Sequence, residues 1–230
     1  MTGGKGKEHG SERVTGRREE LVTGRKKYLR MAGMLCLAAF LVLYLFYGRG
    51  GKGIRLCPVR EISPQDVVYF CQQDERWANE HLGSASDTMA SSGCLVCALA
   101  SGLDMQAAAS DSDFYITAGA LNQALSEAGA YTEGGAVIWD RISLAVPGTV
   151  SYVADEVDRE EIDRFLEQGI CPAVRVRIKG VGSWHWVLLI GADQDGYLCM
   201  DPMSSAEQPV SLRAFGNRVY AMRAVYFMDN

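Results

Sequence analysis

Seventeen consecutive residues without a charge, Met31 to Tyr47, divide this chain more decisively than any other feature. A helix that spans a hydrocarbon core takes roughly 17–25 residues, so the run is at the short end of that range. Nine Lys or Arg residues precede it, and Arg49, Lys52 and Arg55 follow. An excess of Lys and Arg on one side keeps that side in the cytoplasm. Residues 31–48 therefore read as an uncleaved transmembrane signal anchor, a single pass with the N-terminus cytoplasmic and everything after it extracytoplasmic at the cell membrane. Tyr44 and Tyr47 then fall at the outer interface as aromatic anchors. A cleaved signal peptide is the first alternative. The long basic region before the run, and the lack of an Ala-x-Ala-like site after Tyr47, argue against it. A lipoprotein reading would use Cys36, but Leu35 stands where a small residue belongs. A buried core helix is the remaining alternative.

Charge follows the same division. Residues 1–55 hold 12 Lys or Arg against 4 Glu, net +8, which leaves 11 against 24, net -13, for residues 56–230. An acidic body argues against a nucleic-acid partner, because phosphates need basic patches. Its plain reading is a solvated surface. Residues 1–30, rich in Gly and charge, read as a disordered basic cytoplasmic tail. Next to a membrane, such a tail meets anionic lipid. Val-Thr-Gly-Arg occurs twice in it, which is too little for a repeat architecture. Residues 49–58 read as a flexible stalk. Residues 59–230 are then left as one folded domain with its own core.

Within that domain the pattern of apolar residues changes period. Helical spacing is expected over 94–101, with Gly102 ending the helix, and over 117–128, with Gly129 as the stop. A third helix starts at Asp158, where Glu161 completes a capping box, and ends at Gly169. Strands are expected over 173–178, where Val alternates with Arg, and over 186–190, an unbroken apolar run of the kind buried on both faces. Two more are expected over 197–200 and 219–227, with Asp195-Gly196 as a hairpin turn. Helices first and an antiparallel sheet later make an α+β fold.

Two segments about ninety residues apart carry the chemistry. Ser92-Gly93-Cys94 follows Gln72-Gln73, and Trp184-His185-Trp186 precedes Asp201-Pro202. They supply an amide, a thiol, an imidazole and a carboxylate, the four groups that a thiol hydrolase needs. A thiol at the start of a helix feels its positive end, which favours the thiolate. Gly93 leaves room for substrate backbone. The Cys94 N–H and the Gln72 amide are candidate oxyanion donors. Asp201, at a strand end, is placed to hold His185 in one tautomer. The duller readings are a buried structural thiol at Cys94, a core histidine at His185, a surface turn at Asp201 and a surface amide at Gln72, with Gln73 as its rival. His9 and His81 are the other histidines.

The run Phe70 to Trp77, Leu82-Gly83, Ser92 to Val96, His185 to Gly191 and Asp201-Pro202 resembles family thirty-nine of the cysteine peptidases. These are papain-like enzymes known for trimming double-glycine leaders from bacteriocins, together with bacterial stand-alone relatives. The chain looks like the stand-alone group. The resemblance implies a papain-like fold, with a helical part followed by antiparallel sheet. It also implies Cys94 as nucleophile, His185 as general base, Asp201 as the residue orienting the imidazole and Gln72 as oxyanion-hole donor. The implied substrate is a peptide or protein, cut through an acyl-enzyme, and no cofactor is implied. A catalytically inactive peptide-binding module, or a cell-wall peptide amidase or transpeptidase, is the alternative on the same fold.

Outside the apolar run stand Cys57, Cys71, Cys94, Cys97, Cys171 and Cys199. With Cys94 free, five remain, and five cannot all pair within one chain. Cys94 and Cys97 form a Cys-x-x-Cys, and a disulfide there would reversibly block the nucleophile. With no second Cys-x-x-Cys and no histidine at ligand spacing, no zinc site is expected. Gly50-Gly51 would be a point of self-release if the enzyme took double glycine.

Overall fold

The structure, a computed structural model, describes residues 27–28, 31–41, 53–64 and 66–228. Gly53–Asn230 form one compact unit, and Met1–Lys52 form another. In the latter, residues 31–41 are helical with exposed side chains. No helix among the described residues is long and apolar enough to cross a membrane. The rest of the apolar run, the Gly50-Gly51 pair and nearly all of the tail read over 1–30 lie outside the described residues.

The stalk read over 49–58 gives way at Gly53, and the folded unit begins there rather than at residue 59. Strand β1 (Ile54–Arg55) pairs antiparallel with β7 (Arg218–Val219), joining Ile54 to Val219. The Leu56 N–H donates to the Asn217 carbonyl at 2.9 Å. Leu56 is only 2 % exposed. An apolar residue between two partnered backbone groups cannot behave as a solvated tether.

Six more strands build one antiparallel sheet: β2 (Thr149–Val153), β3 (Ala173–Arg177), β4 (Trp184–Asp193), β5 (Gly196–Met200), β6 (Val210–Ser211) and β8 (Ala221–Phe227). Their spatial order is β2-β8-β3-β4-β5-β6. The long apolar strand β4 is central, and its residues 187–190 are buried on both faces, as their unbroken apolar run requires. Its turn into β5 is Gln194-Asp195, one residue earlier than expected, because Asp193 pairs directly with Gly196. The Asp193 carboxylate accepts the N–H groups of Asp195 and Gly196 at 2.8 and 2.9 Å and holds that corner.

Helix α1 (Cys94–Ala109) packs on β4 and β8. It is apolar nearly all round, the pattern of a helix buried in a core. It runs eight residues past the expected end at 101. Gly102 continues it, and a Cβ at that position would meet Leu188 Cδ1 at 3.4 Å. Packing against the sheet outweighs the weak intrinsic preference of glycine. Helix α2 (Ala118–Glu127) starts where expected, with the Thr117 Oγ1 accepting from the Ala120 N–H at 3.1 Å. Helix α3 (Arg159–Glu167) is capped by Asp158, which accepts from the Glu160 N–H at 3.1 Å. Glu161 does not complete the expected box. Its carboxylate takes the Tyr152 hydroxyl at 2.6 Å and Arg164 at 3.1 Å instead. Strand β2 precedes α3, so the order is not helices first and strands later. The molecule is a mixed helix and antiparallel-sheet fold.

Candidate active site

Three elements converge on the predicted residues. Cys94 opens α1, His185 is the second residue of β4 and Asp201 follows the last residue of β5. Antiparallel pairing of β4 with β5 sets Leu188 opposite Met200. That register brings the start of β4 alongside the end of β5, sixteen residues later in the chain. The His185 Nε2 lies 2.7 Å from Asp201 Oδ1. Asp201 Oδ1 also accepts the Met203 N–H at 2.9 Å, which pins the carboxylate at the turn. The imidazole is almost fully enclosed, with 3 % of its side chain exposed against 16 % for Asp201. Phe215 packs against its ring at 6.0 Å between centroids.

Cys94, at the start of α1, lies near enough to the same imidazole to add to its basicity. Burial works to lower the basicity of His185. Hydrogen bonds to Asp201 and to Cys94, and the charges of both, outweigh it and push its pKa up to about 9. At neutral pH the ring is therefore an imidazolium beside a carboxylate and the Cys94 sulfur.

The thiol owes its placement to a tight turn. Residues Met89–Ser92 form one helical turn, and Gly93 separates it from α1. A Cβ at residue 93 would sit 2.5 Å from the Met89 carbonyl oxygen and 2.8 Å from its Cα. The space left by Gly93 is thus taken by the Met89 backbone, not held open for substrate backbone as expected. Only glycine lets the chain fold back this closely before the nucleophile.

Gln72 is 5 % exposed and is held from two sides. Its backbone N–H donates to the Pro202 carbonyl at 2.8 Å. Its Nε2 donates to the Ala90 carbonyl at 2.7 Å. It therefore links the segment after Asp201 to the turn before Cys94. One amide hydrogen is used on Ala90, which leaves the second for another acceptor. Its Oε1 is buried and has no hydrogen-bond partner among the described residues. Gln73 is exposed, so burial separates the two adjacent amides, which the sequence did not. His81 sits in a β-bridge with Thr88 and takes no part in this constellation, and His9 lies outside the described residues.

Phe215, Met203 and Ala90 also shape the site, and sequence reasoning did not single them out. Two of them act through backbone groups, which carry no residue-type signal. Cys97, three residues from Cys94, is fully buried and forms no disulfide among the described residues. Burial, then the charges of Cys94, Cys71 and Asp74, push its thiol well up, which disfavours the thiolate that exchange with Cys94 needs.

No protein-family profile and no curated protein matches this chain. Among solved structures, the crystal structure of a candidate C39-like peptidase from Bacillus anthracis is similar over 74% of this chain and 98% of its own. The identity is 12% and the TM-score 0.47. A likeness of that degree carries no argument about the chemistry of this chain.

Proposed function

We propose that this chain is a thiol peptidase that cuts peptide bonds through an acyl-enzyme on Cys94. The observation that carries the reading is the His185 imidazole, with its Nε2 2.7 Å from Asp201 and Cys94 near enough to add to its basicity. The order of the motifs and their resemblance to family thirty-nine of the cysteine peptidases support it. In the mechanism that follows, the Cys94 proton resides on His185, and the thiolate sulfur attacks the carbonyl carbon of the scissile bond. The oxyanion is taken by the Cys94 N–H and the second amide hydrogen of Gln72. The His185 imidazolium gives its proton to the leaving amine, which departs. Neutral His185 then draws a proton from water, whose oxygen attacks the thioester, and the acid leaves with Cys94 restored. Asp201 keeps the ring oriented throughout and does not take the proton.

We further infer that the peptidase domain is held extracytoplasmically at the bacterial cell membrane by 31–48, on the basis of the uncharged run and the basic excess before it. Both readings meet one experiment on the full chain expressed in a bacterial envelope. The chain should stay in the membrane pellet through an alkaline carbonate wash. There it should cleave members of a peptide library. Cys94→Ala should abolish cleavage, and His185→Ala should slow it by roughly 10²–10⁴-fold. Cleavage that survives Cys94→Ala would sink the peptidase. Recovery of the chain in the wash would sink the anchor.

A further inference from the structure

The sheet face opposite His185 carries a row of cations that the proposed chemistry does not use. On β3, Val174 and Val176 are fully buried, while Arg175 and Arg177 point the other way. Pairing places Val176 beside His185, Arg177 beside Trp184 and Ala173 beside Arg223. Arg175, Arg177, Arg223 and Trp184 therefore share the face turned away from the imidazole.

Rings alternate with guanidiniums along this row. The Arg177 Cζ lies 3.9 Å from the centroid of the Trp184 ring, and the Arg175 Cζ lies 4.5 Å from it. Tyr220 meets Trp184 edge-on at 4.9 Å. Farther along, Arg223 lies 5.7 Å from the Trp139 ring. Cation–π contacts of this kind are individually weak. They do not remove the repulsion among like charges drawn partly out of water. Burial and the charge of Arg177 lower the basicity of Arg175, and burial and the charge of Arg175 lower that of Arg223. Neither Arg175 nor Arg223 joins an ion pair among the described residues. Among the described residues, the Arg175 Nε is buried without a hydrogen-bond partner. Arg223 spends its Nη1 on the Ala154 and Met222 carbonyls, which fixes its position and leaves its charge uncompensated.

We propose that Arg175 and Arg223, flanked by Trp184 and Trp139, form a binding site for the carboxylates of an acidic peptide segment. A guanidinium fork matches a planar carboxylate through paired N–H groups. Trp184, 38 % exposed, offers apolar surface to the methylene stem of a glutamate, which a bare phosphate has no use for. The site lies on the sheet face opposite the imidazole. Only the choice of a peptide as ligand rests on the peptidase reading.

The test uses the full chain carrying Cys94→Ala, so that binding is measured without turnover. Capped penta-glutamate and penta-glutamine are titrated by calorimetry and by tryptophan fluorescence. Penta-glutamate should bind and penta-glutamine should not. Arg175→Gln and Arg223→Gln should each weaken binding about tenfold, the loss of one charge-assisted hydrogen bond. Arg60→Gln, at an exposed ion pair with Glu167 elsewhere, should leave it unchanged. If Arg175→Gln fails to fold, Arg175→Lys keeps the charge without the fork and should still weaken binding. Absence of penta-glutamate binding by a chain with native near-ultraviolet circular dichroism overturns the site. Tripolyphosphate that binds as tightly and displaces the peptide overturns the assignment to carboxylates. Binding that persists in a chain lacking peptidase activity before Cys94→Ala would retain this site and remove the peptidase.

Discussion

At the scale of single residues, His185 decides the most. It is nearly buried and yet more basic than a free imidazole, because Asp201 and Cys94 return more than burial removes. This has a consequence for stability. An unfolded histidine titrates near about 6.5, and the folded one near about 9. A raised pKa stabilises the fold fully below the lower value and stops doing so as pH rises through the higher one. Urea unfolding between pH 6 and pH 10 should show wild type losing its advantage over His185→Gln across that window. A difference between them that did not change with pH would contradict an imidazolium held by Asp201 and Cys94. Gln72 shows the other side of residue-scale reading. The sequence offered two adjacent amides, and only burial and the bond to Ala90 distinguish them.

At the scale of elements, local signals worked where they involve near neighbours. Asp158 caps α3 as its residue type and position indicate, through a bond to the Glu160 N–H. Asp158→Ala should therefore cost about 1 kcal/mol of stability, measured as a lowered urea midpoint, and an unchanged midpoint would mean that the cap is idle. Glu161 illustrates the limit of such signals. Its distance from Asp158 in sequence is right for a capping box, but Tyr152 from β2 competes for the carboxylate. Nothing local announces that competitor. The end of α1 fails for a similar reason. Gly102 is a reasonable stop for an isolated helix, whereas here it lies against Leu188 and the helix passes through it.

At the scale of the whole molecule, the domain boundary moved. Composition marks 49–58 as a tether, with Gly and charge in plenty. The structure takes up its second half, because Ile54 pairs with Val219 and Leu56 enters the core. Leu56→Ala in the full chain should lower stability by about 2–5 kcal/mol. The urea midpoint checks this, and no change would return that segment to the tether. The same scale accounts for β2, which the sequence reading missed. Thr149–Val153 is short and is fixed only by its pairing with β8, more than seventy residues later.

The sequence by itself determined the mixture of helices and antiparallel strands, the positions of three helix starts and the four groups worth testing in the site. Each of these rests on residue type and on spacing within a few turns of chain, where the physics is local. The tertiary structure decided which amide is buried, how far α1 runs, where the folded unit begins and which ring stands between thiol and carboxylate. It also gathered Arg175 and Arg223 from separate strands into one row. These depend on strand register and on competition between distant partners for the same donors and space. Such long-range choices are made by the packed whole and leave no periodic mark on the chain.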